Sequence, residues 1–470
     1  MNIDLLFQIS EKFFLGYLIF YMTYILIGNI MAMVKLYKRR QTKLLMNQLD
    51  HEYYYPVSIV VPAFNESETI ITTIDNLLHL DYKIYEIIVV DDGSTDDTAQ
   101  KVIERFNMVK NDVPIHLQVP TQPIESVYEI SKGGKTIKLI RKVNGGNKAD
   151  AVNAGINASE YPYFVSMDAD EVLQADALKN AIQLFFENDR TVAVGGLLGI
   201  ANDIVFKDAY PVETPLPKNL VAAMQTLEYG RAFMGSRISS DAFNANLNVS
   251  GGFGLFKKQA VIDINGYDPN SVGEDMDLAL RLHRHHVEND IPYKIRFAED
   301  AVCWTQAPFS MDDLAKQRAR WHRGLMQTMW AHKSILLNPN YGLLGLLSYP
   351  YFLMYELLAP FIELLGLFII ILGLYLGMIN IPMILILMGL YFIFNLFQTM
   401  DFFVGRYFIQ DYKRYPGEVA KAFFVTTLDA VFFRPYLLWV RLYSAFTYHA
   451  KLHSWAPIER GTIEDQSVND

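Results

Sequence analysis

The stretch Ile87-Ile88-Val89-Val90-Asp91-Asp92-Gly93-Ser94 sets the fold class. Its apolar half reads as a strand buried on both faces, as in a parallel sheet covered by helices. The strand runs straight into two carboxylates and a glycine, which places acids at the C-terminal edge of the sheet. That edge is where open α/β sheets bind ligands. A turn capping a helix at Ser94 or Thr95 would use the same residues. On either side, Val57–Val61 and Tyr163–Met167 are further short apolar runs, and helical patterns alternate with them between Tyr54 and about residue 340. The expectation is an α/β domain with a mixed, mostly parallel sheet. Residues 113–135 carry Pro114, Pro120, Pro123, Gly133 and Gly134 without strong periodicity, and read as a surface insertion, a hairpin.

Composition says that this domain is not alone. The chain has 470 residues, 51% of them apolar and only 20% charged, with mean hydropathy +0.13. That is too hydrophobic for an ordinary soluble protein and too charged for a pure membrane bundle. Net charge is −10, which argues against nucleic acid as a partner. The single cysteine, Cys303, excludes internal disulfides and a cysteine-built zinc site.

Phe13–Val34 is a charge-free run of 22 residues, long enough to cross about 30 Å of hydrocarbon. Asp4 and Glu11 precede it and no small-residue cleavage site is present, so an anchor fits better than a signal peptide. Lys35, Lys38, Arg39, Arg40 and Lys43 come next. They put that flank (35–53) in the cytoplasm and residues 1–12 outside. Further spans are expected at 352–376 and 382–404. Residues 419–446 are apolar but carry Arg434-Pro435 at their centre, which favours an interfacial or re-entrant helix pair over a full span. The lipid bilayer is therefore an expected partner.

Three more motifs carry chemistry. Asp168-Ala169-Asp170 comes after a strand, and side chains at i and i+2 of an extended chain point the same way. Two hard carboxylate ligands suit Mg²⁺ or Mn²⁺, which leave other positions to water and phosphate oxygens; a solvated acidic loop continuing into Glu171 is the alternative. Gly273-Glu274-Asp275 opens a helix, whose dipole keeps a first-turn carboxylate ionised and able to accept a proton. Structural acids are also common there. In Gln317-Arg318-Ala319-Arg320-Trp321, a helix opened by Ser310 and Asp313 puts Gln317, Arg320 and Trp321 on one face. An amide, a guanidinium and a large ring suit a diphosphate beside a sugar; a helix lying on the membrane surface would also carry such a face.

In this order, within an α/β block between membrane segments, the motifs resemble the processive family-2 glycosyltransferases of membranes: cellulose, mixed-linkage glucan, hyaluronan and poly-N-acetylglucosamine synthases. Other stretches share the likeness. Pro62-Ala63-Phe64-Asn65-Glu66 resembles the first nucleotide loop, and Asn147-Lys148-Ala149 with Asn153-Ala154-Gly155 the donor loop. Ser250-Gly251-Gly252-Phe253 resembles the acceptor loop, and Trp455 through Arg460-Gly461-Thr462 a gating loop.

The resemblance implies a GT-A catalytic domain over 54–304 and interfacial helices over 305–350, with the gating segment in the tail 447–470. It implies that Asp91 and Asp92 hold the nucleotide of a UDP-sugar donor, with Asn65, Glu66 and Lys148 nearby. Asp168 and Asp170 would hold Mg²⁺ or Mn²⁺ on the diphosphate. Asp275, beside Glu274, would be the general base. Gln317, Trp321, Gly251, Gly252 and Phe253 would form the entrance of a channel for the growing polysaccharide, with Arg320 offsetting charge on UDP. Trp455, Arg460 and Thr462 would close the site.

The implied activity is processive, inverting polymerisation of a UDP-hexose with export. The acceptor loop leans towards a β-glucan made from UDP-glucose, mixed 1,3/1,4-linked glucans included. A poly-N-acetylglucosamine or hyaluronan-type synthase, or a non-processive lipid glycosyltransferase, are the alternatives, and a catalytically silent scaffold of an export complex is the least favoured reading. The third motif has Gly273 where many relatives have threonine, and the acceptor loop lacks the cysteine of typical cellulose synthases. With only a short stretch after Lys451, a cyclic-dinucleotide-binding domain is not expected in this sequence. With so few spans, a full channel would draw on the interfacial helices, a second copy or an export partner.

Overall fold

A computed structural model describes residues 3–46, 54–112, 114–409 and 412–451. Among the described residues twelve strands form: β1 (Val57–Ala63), β2 (Tyr85–Asp91), β3 (Val109–Asn111), β4 (Ile124–Lys132), β5 (Lys135–Lys142), β6 (Tyr163–Ser166), β7 (Val172–Leu173), β8 (Thr191–Ile200), β9 (Val205–Lys207), β10 (Tyr210–Glu213), β11 (Gly254–Lys257) and β12 (Lys294–Thr305). Ten of them make one sheet in the order β3-β4-β5-β2-β1-β6-β11-β8-β12-β7, and β9 pairs with β10. Strands β5, β2, β1 and β6 run parallel, as do β8 and β12, while β11 runs against both its neighbours. The fold is a mixed, mostly parallel α/β sheet covered by helices.

Strand periodicity explains the core. Val57, Ile59, Val61, Ile87 and Val89 pack with the helices Ile70–Leu78 and Ala177–Glu187. The alternate residues Val60, Ile88 and Val90 pack with the helices Lys148–Ala158 and Glu274–Glu288 on the other face. Successive side chains of one strand thus feed two layers. Register then aligns the strand ends: Ala63 lies opposite Asp91, and Val60 opposite Ser166. The loops after β1, β2 and β6 therefore meet at one edge.

The expected insertion at 113–135 is only partly a surface feature. Its second half starts a hairpin, β4–β5, turning at Gly133-Gly134. β5 is then a full member of the sheet, parallel to β2 in register from Glu86/Thr136 to Asp91/Arg141.

Among the described residues, three helices are long and apolar enough to cross a membrane: Ile3–Arg39, Ile381–Tyr407 and Glu418–Phe446. A fourth candidate, Leu344–Leu357 with Ala359–Tyr375, bends by 55° where Pro360 begins its second half. The first helix spans Ile3–Met46 without a break. Its basic end docks on the α/β block: Lys35 pairs with Asp241 at 2.5 Å and Arg39 with Glu187 at 2.6 Å. Residues 419–446 differ from the expected helix pair, because Glu418–Phe446 is one 29-residue helix. A π-turn at Asp429–Phe433 absorbs the missing hydrogen bond of Pro435. Arg434 is not a bare charge: it meets Asp429 at 3.3 Å, Asn395 at 2.9 Å and the Tyr391 hydroxyl.

Candidate active site

The loop after β1 is tied to the loop after β2. Asn65 has φ 57°, a left-handed conformation that asparagine tolerates better than most residues. Its Oδ1 accepts from the Thr95 N–H at 2.8 Å, and its own N–H donates to Ser94 Oγ at 3.0 Å. The Glu66 N–H donates to Thr98 Oγ1 at 2.9 Å, and its carboxylate accepts from Thr69 Oγ1 at 2.7 Å.

Asp91 is buried and accepts the Ser94 N–H at 3.0 Å, with Arg141 Nε 3.5 Å from its other oxygen. Asp92 is held differently. The fully buried Lys142 ammonium bridges Asp92 and Asp150, the latter at 2.5 Å, and the Gly145 N–H reaches Asp92 Oδ1 at 3.0 Å. The resemblance assigns Asp92 to the nucleotide; the structure ties one of its oxygens into a buried ion network. Nothing in the order of residues marks Lys142, which reads there as one more cation in a strand.

Lys148 opens the helix Lys148–Ala158, where Asn147 Oδ1 caps the Asp150 N–H at 3.0 Å. Its ammonium pairs with Asp168 and donates to the Gly251 carbonyl at 2.7 Å. Burial opposes this charge, but Asp168 and Glu274 outweigh it and hold the Lys148 pKa above the usual lysine range. Asn153 serves structure instead: it grips the Pro120 and Tyr267 backbone at 2.8–3.1 Å.

Asp168 and Asp170 stand part-buried beyond β6. Among the described residues no group of three or more His, Cys, Asp or Glu side chains gathers as a metal cage. Two carboxylates are nevertheless a fitting donor set for Mg²⁺ or Mn²⁺ completed by water and phosphate oxygens. Glu171 is buried behind them and accepts a long contact from Cys303 Sγ at 3.4 Å. Burial, then Asp168, pushes its carboxyl up to about 8.

Asp275 sits in the first turn of the helix Glu274–Glu288. Its Oδ2 accepts the Gly251 N–H at 3.2 Å and its Oδ1 the Met276 N–H at 2.8 Å. Burial and the adjacent Asp275 push Glu274 up to about 7. The helix Met311–Ala331 brings the fourth motif alongside, capped by Ser310 as the spacing predicts. Gln317 is buried, its Oε1 unpaired among the described residues, and the positive charge of Arg320 acts on Glu274. Trp321 is 40% exposed.

The family model for glycosyltransferase-like family 2 matches residues 55–324, more than half of the chain. The chain belongs to this family. It is 29% identical over 324 residues to the poly-β-1,6-N-acetyl-D-glucosamine synthase of Staphylococcus epidermidis, covering 68% of this chain and 67% of that one. To the synthase of the same description from Staphylococcus aureus strain COL it is 28% identical over 347 residues, covering 73% and 71%. A mannosyltransferase from Pyrobaculum calidifontis, solved with GDP-Man and Mn²⁺, superposes with TM-score 0.50 at 16% identity, over 87% of this chain and 99% of that one. That last likeness shows the GT-A type of fold. None of these three is described as a glucan synthase, so the lean towards a β-glucan is without support; the two staphylococcal descriptions match the amino-sugar alternative.

In this family-2 glycosyltransferase a cavity of about 1410 Å³ opens beside Trp321. It runs between the catalytic block and the apolar helices, with Tyr21, Tyr24, Tyr351 and Tyr355 on its wall. Tyr24 stacks on Tyr351 at 4.1 Å, and Tyr351 on Tyr355 at 5.2 Å. Trp321 is steadied by Arg318, whose guanidinium lies 4.6 Å over its ring while forking onto Glu228 with two bonds of 2.8 Å. In the linear motif Arg318 and Arg320 look alike; only their partners separate them.

The acceptor loop splits in role. Gly251 contacts both Lys148 and Asp275, and Gly252 is where backbone passes Glu171 so closely that a Cβ would lie 2.5 Å from Oε1. Phe253, expected at the channel entrance, is instead fully buried in the core against Gly196, because it leads directly into β11. Trp455, Arg460 and Thr462 lie outside the described residues.

Proposed function

We propose that this glycosyltransferase polymerises N-acetylglucosamine from UDP-N-acetylglucosamine into a β-1,6-linked chain, processively and with inversion, and passes the chain across the plasma membrane. The donor site faces the cytoplasm. The observation that carries this reading is the continuity of the site. Asp275 is bonded to Gly251, close along the chain from Asn248, and Asn248 and Trp321 both line the cavity that leads between membrane-type helices. The descriptions of the staphylococcal relatives support the amino sugar and the linkage.

The residues divide the work. Asp91, with the Asn65–Glu66 turn beside it, receives the uridine, and Asp92 keeps that edge rigid through Lys142. Asp168 and Asp170 would hold Mg²⁺ or Mn²⁺, which when bound neutralises charge on the diphosphate. Asp275 takes the proton from the acceptor's primary hydroxyl as that oxygen attacks the anomeric carbon from the face opposite the diphosphate. The new glycosidic bond forms as the bond to the diphosphate oxygen breaks, and UDP leaves with the electron pair. Lys148 and Arg320 offset its charge, while Glu274 supports the Lys148 ammonium. Gln317 and Trp321 receive the lengthened chain, the ring stacking on a sugar face.

The test is UDP release by full-length protein in detergent, offered UDP-N-acetylglucosamine, UDP-glucose, UDP-galactose and UDP-glucuronate separately with Mn²⁺ or Mg²⁺. Metal-dependent turnover of UDP-N-acetylglucosamine alone, with a polymer whose linkage is read by NMR, is the expected result. Turnover of UDP-glucose alone would overturn the amino-sugar reading. Short lipid-linked products would overturn processivity.

A further inference from the structure

The helix Glu274–Glu288, which carries the proposed base Asp275, starts without a cap of its own. Gly273 stands at its N-cap position and gives no side-chain bond to the free N–H groups of the first turn. Support comes instead from the helix Met311–Ala331, the one that carries Gln317, Arg320 and Trp321. Gln327, near the end of that helix, uses both halves of its amide on the loop ahead of Gly273. Its Oε1 accepts the Val272 N–H at 2.8 Å, and its Nε2 donates to the Asn270 carbonyl at 2.9 Å.

A second grip lies just beyond the base. His332, which ends Met311–Ala331, donates from Nε2 to Asp277 Oδ1 at 2.8 Å, and Arg281 Nε reaches the other Asp277 oxygen at 2.7 Å. Burial opposes the Asp277 charge, but His332 and Arg281 outweigh it and hold the carboxyl below the ordinary aspartate value. Between the two grips the backbones nearly touch. A Cβ on Gly324 would lie 3.1 Å from Gly273 Cα, and one on Gly273 would lie 3.2 Å from Thr328 Oγ1. Positions 324, 327, 328 and 332 follow helical spacing, so one face of a single helix clamps the chain on both sides of Asp275.

Transfer makes this geometry matter. A base and the hydroxyl it serves have to meet within hydrogen-bond reach, and a misplacement of about 1 Å can cost about 100-fold in rate. Asp275 is on one helix, while the groups that would receive the sugar and offset the charge of UDP are on the other. Among the described residues that line the cavity beside Trp321 there is neither Gln327 nor His332, so neither is placed to touch the sugar. We propose that Gln327 is a positioning residue for the transfer step. With His332 it locks the start of Glu274–Glu288 to Met311–Ala331, so that Asp275 keeps a fixed place relative to Arg320 and Trp321. This rests on the reading of Asp275 as the base and adds the residue that aims it.

The test uses full-length protein in detergent with Mn²⁺ and radiolabelled UDP-N-acetylglucosamine, and reads sugar incorporated into polymer. Gln327→Leu removes both bonds, and kcat is expected to fall about 10- to 100-fold. The KM for the donor, and UDP affinity by calorimetry, should stay within about twofold of wild type. Gln327→Glu keeps an oxygen for the Val272 N–H and loses the donor to Asn270, so it should recover part of the lost rate. On an Asp275→Asn background, Gln327→Leu should lower transfer no further, because a residue that acts through the base has nothing left to aim.

A merely structural role would give another pattern: UDP affinity would drop together with kcat, and the losses from Gln327→Leu and Asp275→Asn would multiply. Either result, or an unchanged kcat in Gln327→Leu, would overturn the clamp while the base reading stands. A Gln327→Leu chain that no longer gains melting temperature from UDP would mark the residue as structural and overturn the clamp too. Transfer undiminished by Asp275→Asn would overturn the base reading, and the clamp with it. No incorporation by wild type would overturn the proposed activity on which both rest.

Discussion

Lys148 and Asp275 hold opposite ends of Gly251: the ammonium donates to its carbonyl at 2.7 Å, and the carboxylate accepts its N–H at 3.2 Å. A donor-side cation and the base proposed for the acceptor are thus set by one residue that has no side chain. Movement of Lys148 towards a diphosphate would pull on the same loop that orients Asp275.

If Asp275 is the base, Asp275→Asn keeps the shape of this site and removes the proton acceptor. Transfer is expected to fall by a factor on the order of 10²–10⁴. UDP binding, measured by calorimetry, should remain close to wild type.

Lys148→Met frees Asp168 of its ion pair and removes a cation from the diphosphate. Nucleotide affinity is expected to fall about tenfold or more. Mn²⁺ alone should bind more tightly than to wild type, because the metal no longer competes with the ammonium; electron paramagnetic resonance of free Mn²⁺ reads this directly. Chelation should abolish UDP release and added Mn²⁺ should restore it.

Glu274 has its carboxyl raised from an ordinary 4.5 to about 7. Such a group binds more protons folded than unfolded between those values, so its contribution to stability falls as pH rises through that window and the full cost is present above pH 7. Glu274→Gln removes the cost. The variant should be more stable than wild type at pH 8 by on the order of 1–2 kcal/mol, allowing for partial exposure. The difference in melting temperature should close as pH falls to about 4.5.

Lys142 and Arg141 are neighbours in β5 with opposite expectations. Lys142→Met leaves Asp92 and Asp150 buried without their shared cation, at a cost of about 3–5 kcal/mol. Arg141 is 41% exposed and 3.5 Å from Asp91, so Arg141→Met should cost less than about 1 kcal/mol. Denaturant melts of the two variants separate these outcomes.

Gly252→Ala places a Cβ 2.5 Å from Glu171 Oε1. The loop or the carboxylate has to shift, at a cost of about 1–3 kcal/mol. Because Gly251 precedes it, transfer should fall more than stability does. A ratio of transfer to UDP binding equal to that of wild type would count against a coupled loop.

Strand periodicity and acids at strand ends are local properties, so the order of residues was enough for the class of fold and the family. The run from Ile87 to Asp92 specifies a buried strand with an acidic turn at its end, whatever the rest of the chain does. Charge-free runs likewise announce candidate membrane helices, since the cost of leaving a mostly apolar run of 22 residues in water depends on its area and not on its neighbours. Packing settled which charges are free to act. Asp91 and Asp92 are adjacent along the chain, yet only Asp92 meets a fully buried lysine, because β5 arrives beside β2 from a distant hairpin. Phe253 and Gly251 belong to one motif, yet one fills the core and the other joins Lys148 to Asp275. Arg434 reads as a bare charge in an apolar run, and only the tertiary structure brings Asp429, Asn395 and Tyr391 around it. Pairing energies depend on burial and on partners far along the chain, and the order of residues alone carries neither.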